Sequence, residues 1–166
     1  NNGVLVSETA VPATTPLSAG RIYVEIADRV NTGFAVVNPN ATTATFNFLY
    51  TDSAGADLPS RSIQIAGNSQ RVQFLNEDPF KTFTGASFQG TLSFTSTLPV
   101  GIVALRTYTN EHGDFLMSTL PVIDTEKPAP TGTAVLPYYA DGGGWRTQIL
   151  LVNPTDSGMT GTVQFD

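Results

Sequence analysis

The amino-acid sequence predicts an all-β protein with an antiparallel sandwich fold, and three observations support that prediction. Short runs of alternating apolar and polar residues follow one another, separated by residues that favour turns. Only 13% of the residues are charged, whereas 40% are hydrophobic, and Gly and Pro occur 15 and 11 times. A short phrase also occurs twice, as VVNPN at 36–40 and as LVNPT at 151–155, which indicates a repeated unit.

Eight segments between residues 20 and 122 alternate in this way, and each is expected to form a strand. Eight strands in about a hundred residues are typical of an antiparallel sandwich. The connecting segments 51–59, 66–70 and 109–114 are rich in Asp, Asn and Gly, so we expect hairpin tips there. Segment 74–83 contains Pro79, which favours a turn or a single helical turn over a longer helix. The expected strands are 21–27, 33–39, 44–51, 61–66, 70–75, 88–96, 100–109 and 114–122.

The alternation also predicts the core, because every second residue of a strand faces the same side of its sheet. In each strand we assign the larger apolar side chains to the inner face. The predicted inward-facing residues are Phe34, Val36, Phe46, Phe48, Ile63, Ile65, Phe74, Leu92, Phe94, Ile102 and Ala104.

The repeated phrase places Asn38 and Asn153 at an offset of 115 residues, each followed by Pro at the end of an apolar run. An Asn side chain can hydrogen-bond the backbone of the following turn, and Pro cannot continue a ladder, so we interpret the phrase as a strand end. The sequence around it repeats as well. Segment 22–28 matches 134–141, and segment 43–49 matches 160–166 after a two-residue shift. Segment 113–122 matches 3–12 near the start of the sequence.

These matches predict one complete unit between two partial ones. The chain is then either a segment of a longer array or a protomer whose two ends complete neighbouring copies. The expected organisation is the last strand of a preceding repeat at 1–12, a linker at 13–20, a complete repeat at 21–123, a Pro-rich linker at 124–133 and the first strands of a following, incomplete repeat at 134–166.

Four stretches together resemble a repeat of large secreted and cell-surface proteins of environmental bacteria. They are TGFAVVNPNATTATFNFLYTDSAGADL, FLNEDPF, FQGTLSFTSTLPVGIVALR and a closing STLPV. The resemblance covers residues 20–123 and both partial units. It implies an immunoglobulin-like sandwich in tandem copies outside the cell, and it carries no catalytic residue because that group has no assigned activity.

Charge and composition exclude several partners. With 8 basic and 14 acidic residues the net charge is −6, and the basic residues are scattered, which argues against nucleic acid and an anionic membrane. No apolar run reaches the length of a membrane helix, so we expect no membrane insertion. The chain has no cysteine and one His, so we expect no metal and no cofactor.

The stretch YYADGGGWR at 138–146 is the strongest candidate for a ligand site. Tyr138, Tyr139 and Trp145 could form an aromatic platform of the kind on which sugars stack. Neighbouring strand residues point to opposite faces, so at most one tyrosine would join Trp145. The competing interpretation is that these rings pack in a core or between domains.

Other polar residues give weaker signals for chemistry. His112 lies in an expected loop between acidic residues, and Asp52 and Asp57 flank a turn, but both patterns favour exposed loop side chains over a metal site. Arg106 interrupts an apolar strand, and we expect it to pair with a carboxylate or with carbonyl groups.

No motif for catalysis occurs, so we expect no enzymatic activity. The sequence favours an extracellular structural protein, the repeat unit of a surface stalk, layer or filament. Its expected partners are copies of itself or adjoining repeats, and the alternative is a carbohydrate-binding or adhesive module. The expected assembly strands carry Val4, Val6, Ile149, Leu151, Val163 and Phe165.

Overall fold

The computed structural model describes residue 5 and residues 8–129 and 131–164, and it confirms the all-β prediction. Val4, Val6 and Phe165, three of the expected assembly residues, lie outside this part of the chain. Residues 8–12 form no strand. The strands are β1 (Leu17–Ile26), β2 (Val30–Asn38), β3 (Ala44–Asp52), β4 (Arg61–Ile65), β5 (Ser69–Phe74), β6 (Phe88–Thr109), β7 (Phe115–Leu120), β8 (Val122–Asp124), β9 (Asp141–Gly142) and β10 (Trp145–Arg146).

Two antiparallel layers form the sandwich. The first layer has the strand order β4-β3-β6-β1-β8, and the second has the order β5-β2-β6-β7. Both layers contain β6, because its first half pairs with β1 and β3 whereas its second half pairs with β2 and β7. A single long strand therefore connects the two layers.

The continuity of β6 corrects the prediction of separate strands at 88–96 and 100–109. Pro99 lies between these two segments, and it has no N–H to donate to a ladder. The pairing of β6 with β3 ends at Ser96, and its pairing with β2 begins at Gly101. Pro99 therefore lies at the passage between the layers, where its missing N–H breaks no ladder hydrogen bond.

The core lies between the layers and is largely aromatic. Phe34 of the second layer contacts Phe46 of the first, with ring centroids 5.9 Å apart. Phe80, from the turn after β5, meets Phe34 edge to face at 4.6 Å. Of the predicted core residues, Ile63 is partly buried and packs against the core, and the following are buried: Phe34, Val36, Phe46, Phe48, Ile65, Leu92, Phe94, Ile102 and Ala104.

Phe74 is the exception among the predicted core residues. Phe74 pairs directly with Gly33, which lies on the face of β2 that points away from the core. Directly opposed residues project to the same side of a sheet, so Phe74 also points away from the core. A Cβ added at Gly33 would meet the Phe74 ring at 3.3 Å, so Phe74 covers the outside of β2. The next residue, Leu75, is fully buried instead.

Several connections also differ from the prediction. The expected linker 13–20 overlaps β1, which begins at Leu17. The connection 66–70 is not a hairpin tip, because β4 pairs with β3 and β5 pairs with β2, and the two strands do not pair with each other. The connections 51–59 and 109–114 do join paired strands, as predicted. Segment 74–83 holds a turn in which Phe80 N donates to Glu77 O at 2.9 Å.

Residues 131–164, called here the C-terminal segment, contain only the two-residue strands β9 and β10. The strands expected around Ile149–Leu151 and Val163 are not formed in the described residues. Among those residues, no helix has the length and apolar character needed to cross a bilayer.

Candidate functional site

A groove separates the outer face of the first layer from the C-terminal segment. It encloses about 1160 Å³ and is lined by outward-facing residues of β1, β3 and β6 on one side and by residues 149–158 on the other. Tyr23 lies on its β1 side, where Gln89 donates a hydrogen bond to the Tyr23 hydroxyl at 2.9 Å. Burial raises the pKa of Tyr23 above its ordinary value. The wall of this groove combines polar and apolar side chains.

Arg21 joins the two sides of the groove. Its Nε donates to Ser93 Oγ at 2.7 Å, and its Nη1 donates to the carbonyl oxygens of Asn153 (2.8 Å) and Thr155 (3.0 Å). Its Nη2 forms an ion pair with Asp156 at 2.8 Å. The Arg21 side chain is only 14% exposed. One guanidinium group therefore holds a turn more than 130 residues away in the chain.

The turn that Arg21 holds is the second copy of the repeated phrase. In this copy Asn153 Nδ2 donates to Ser157 O at 2.7 Å, and Thr155 N donates to Asn153 Oδ1 at 2.8 Å. In the first copy Asn38 Nδ2 donates to Thr42 O at 2.8 Å, and Asn40 N donates to Asn38 Oδ1 at 3.0 Å. The two asparagines thus build the same turn, with the same spacing along the chain.

A threonine bridge also occurs twice. Thr32 Oγ1 accepts from Glu25 N at 3.0 Å and donates to Glu25 O at 2.9 Å. Thr147 Oγ1 accepts from Ala140 N at 3.0 Å and donates to Ala140 O at 2.9 Å. In both copies the hydroxyl hydrogen-bonds a residue seven positions earlier in the chain.

β1 and β2 lie in different layers but meet in a one-pair hairpin at their connection, and this hairpin is repeated with the same register. Ala27 and Val30 exchange backbone hydrogen bonds of 2.9 and 3.2 Å around a two-residue turn. Gly142 pairs in the same way with Trp145 between β9 and β10. Hairpin, threonine bridge and asparagine turn are all displaced by 115 residues. At this offset residues 22–28 correspond to residues 137–143, which corrects their match with 134–141.

Burial differs sharply between the two copies. At the offset of 115, Ile149 and Leu151 correspond to Phe34 and Val36, which are 2% and 0% exposed. Ile149 is 38% exposed and Leu151 is 81% exposed. Val163, which aligns with the buried Phe46 after the two-residue shift, is 62% exposed. The C-terminal segment therefore repeats the hairpin, the threonine bridge and the asparagine turn of the first copy, but its corresponding apolar residues are exposed.

The aromatic residues of the predicted ligand platform lie on or beside the β9–β10 hairpin. Tyr138, Tyr139 and Trp145 are 78%, 57% and 74% exposed. Gly143 and Gly144 form the tip of the hairpin with positive φ angles of 58° and 87°. At the offset of 115, Tyr139 corresponds to Val24, which is fully buried.

The acidic loop residues serve local structure. Asp52 Oδ1 accepts the backbone N–H groups of Ala54 and Ala56, both at 2.9 Å. Asp57 accepts a 2.6 Å hydrogen bond from Thr51. His112 is 77% exposed on the loop after β6. Within residues 8–129 and 131–164, no three His, Asp or Glu side chains cluster as metal ligands.

Arg106 forms the carboxylate pair that its position in an apolar strand predicted. Its Nε donates to Glu25 Oε2 at 3.0 Å, and both side chains are largely covered. Arg21, which sequence reasoning missed, gives no comparable signal. It occupies an ordinary outward-facing position of β1, and only the fold brings Asp156 to it.

Comparisons with known proteins support the fold and give no information about function. No protein-family model matches the chain, and no curated protein matches it. A crystal structure of Thermotoga maritima 1070 is similar, with a TM-score of 0.52 over 64% of this chain and 94% of that chain. The two are 10% identical, so the similarity shows a shared fold alone.

Proposed function

We propose that this chain is an extracellular structural protein, the immunoglobulin-like repeat unit of a surface stalk, layer or filament. The observation that carries the proposal is the second copy of the β1–β2 hairpin, threonine bridge and asparagine turn at a constant offset of 115 residues. Its partners are copies of itself or adjoining repeats. The extracellular location rests on the resemblance.

The second hairpin needs further strands to bury its apolar residues. An isolated two-stranded hairpin is marginally stable in water, and each large apolar side chain left exposed forgoes about 1.5–3 kcal/mol. In the first copy, β6 pairs with both β1 and β2 and so completes the hairpin. A strand equivalent to β6, from an adjoining repeat or another copy, would complete the second one. Contacts between units are therefore strand-mediated.

Completing the second unit tests the proposal. After the two-residue shift, Asp166 corresponds to Leu49, so a copy of residues 50–124 is appended directly after Asp166. We expect two cooperatively folded sandwiches, about twice the unfolding enthalpy, and protection of the Leu151 and Val163 methyl groups from solvent. A control carries the same 75 added residues in scrambled order. If Leu151 stays exposed and the enthalpy does not rise, the repeat proposal is wrong.

Shape and location provide a second test. Chains with three and four completed units should be rods whose length grows by a constant increment, measured by small-angle X-ray scattering. Antibodies against residues 13–133 should label intact source cells. Compact particles of constant diameter, or labelling only after permeabilisation, would contradict a surface stalk, layer or filament.

The exposed aromatic residues favour a second candidate, a carbohydrate-binding or adhesive module. Trp145 is the single tryptophan, so soluble glycans that stack on it should change its fluorescence. Trp145→Ala should remove binding, whereas Phe115→Ala, at another exposed aromatic, should retain it. A completed second unit would bury Tyr139, as Val24 is buried in the first. Glycan binding that survives completion would favour the module over the array.

A further inference from the structure

We propose that Arg21 and the turn at 153–156 form a joint that holds the second unit against the first. This inference rests on the proposed array, and it adds the residues that set the relative placement of neighbouring units. The joint consists of the Arg21 guanidinium on the outer face of β1, two carbonyl oxygens of the turn and the carboxylate of Asp156.

The arginine is held in place on its own side of the joint. Ser93 of β6 accepts from Nε at 2.7 Å, which orients the planar guanidinium toward the groove. Its remaining N–H groups then meet three acceptors at 2.8–3.0 Å. A rigid fork of donors matches several oxygens at once, which a lysine ammonium group on a flexible stem does not.

The two residues of the ion pair are each replaced by an apolar residue in the other copy. At the offset of 115, Arg21 corresponds to Leu136 and Asp156 corresponds to Ala41. Neither of these apolar residues can form the ion pair. The joint is therefore directional: the first unit supplies the basic group on its outer face, and the second supplies the acidic turn. Such a contact selects one order of units.

The joint is compatible with a completed second unit. In the first copy, Asn40 O accepts from Asn68 N of the β4–β5 connection at 2.9 Å. Thr155 holds the position equivalent to Asn40, and its carbonyl oxygen accepts from Arg21. A carbonyl oxygen has two lone pairs, so Thr155 O can accept from Arg21 and from the connection of its own unit together.

The ion pair and the carbonyl contacts contribute differently. Asp156 is 95% exposed, so salt screens its attraction to Arg21. The bond from Nη1 to Asn153 O is partly buried and depends less on salt. Losing Asp156 should therefore weaken the joint, whereas losing Arg21 should abolish it.

Distance measurements in the full chain test the joint. The chain has no cysteine, so Ser62→Cys and Met159→Cys provide two exposed sites for spin labels. We expect a narrow distance distribution by pulsed electron spin resonance. Arg21→Leu and Arg21→Lys should broaden it severalfold, and Asp156→Ala should broaden it less. Arg71→Leu, at an exposed arginine of β5, is the matched control and should leave it narrow.

The results of these measurements distinguish a failure of the joint from a failure of the proposed array. Circular dichroism melting checks that each variant retains its sandwich, and Arg21→Lys preserves the charge if Arg21→Leu lowers stability. A narrow distribution in a folded Arg21→Leu chain, or a broad one in the unsubstituted chain, overturns the joint. A different result is a short distance that requires mixing chains that carry the label at Ser62→Cys with chains that carry it at Met159→Cys. In that result the contact forms between two chains, and the placement of the joint within one chain is wrong. If the completed two-unit chain still folds in these cases, the array proposal stands without the joint.

Discussion

Asn38 and Asn153 form the same turn 115 residues apart, but only the side chain of Asn38 also hydrogen-bonds a second segment of the chain. Its Nδ2 donates to Ile65 O, at the end of β4, at 2.9 Å and to Ala66 O, in the β4–β5 connection, at 3.2 Å. Asn38 is fully buried, whereas the hydrogen bonds described for the Asn153 side chain stay within its own turn. The same side chain therefore fastens two layers together in one copy and only shapes a turn in the other.

This difference predicts unequal effects of the same substitution. Asn38→Ala should lower the free energy of unfolding of the sandwich by about 2–4 kcal/mol, because buried carbonyl groups lose their donor. Asn153→Ala, the matched control, should change it by less than about 0.5 kcal/mol. Urea denaturation followed by circular dichroism measures both. Equal effects would show that Asn38 does not fasten the layers.

Gly67 should not tolerate a side chain. A Cβ at this position would collide with the carbonyl oxygen of Ala41, in the turn that Asn38 organises. Backbone must shift to admit it, so Gly67→Ala should cost about 1–3 kcal/mol of stability. Gly158→Ala is the control, since no atom lies within 4 Å of its added Cβ. A Gly67→Ala protein as stable as the Gly158→Ala protein would contradict the close approach of these two connections.

The sandwich should fold without the C-terminal segment. Among the described residues, the buried core lies between Ile22 and Ala104, so a chain of residues 13–133 retains this core. Its melting temperature should lie within about 3 °C of the value for the full chain. It should also be monomeric by analytical ultracentrifugation, since it lacks the second hairpin. An unfolded or self-associating truncated chain would contradict the separation of the core from the C-terminal segment.

Removing metal ions should have no effect on folding. The Asp52 carboxylate is engaged by two backbone N–H groups, and Asp57 accepts from Thr51. We therefore expect EDTA to shift the melting temperature by less than about 1 °C. Asp52→Ala, in contrast, should lower stability slightly through loss of the turn. A drop of many degrees with EDTA would identify this loop as a cation site.

Much of the fold follows from the sequence alone. Alternation identified the strands and placed Phe34, Phe46 and Phe94 in the core, because the period of two in a strand separates its faces. The repeated Asn-Pro phrase indicated a repeated structure, and both copies do form the same turn. These features depend on local geometry, which the sequence of a few residues determines.

Tertiary structure decided what depends on pairing over long distances. The passage of β6 between layers at Pro99, the outward position of Phe74 and the contact of Arg21 with Asp156 have no local signal. Each depends on which strands become neighbours and in which register, and a shift of one residue would turn every side chain to the other face. The sequence therefore determined the elements and their repetition, and the packing of the layers determined which outward-facing residues meet.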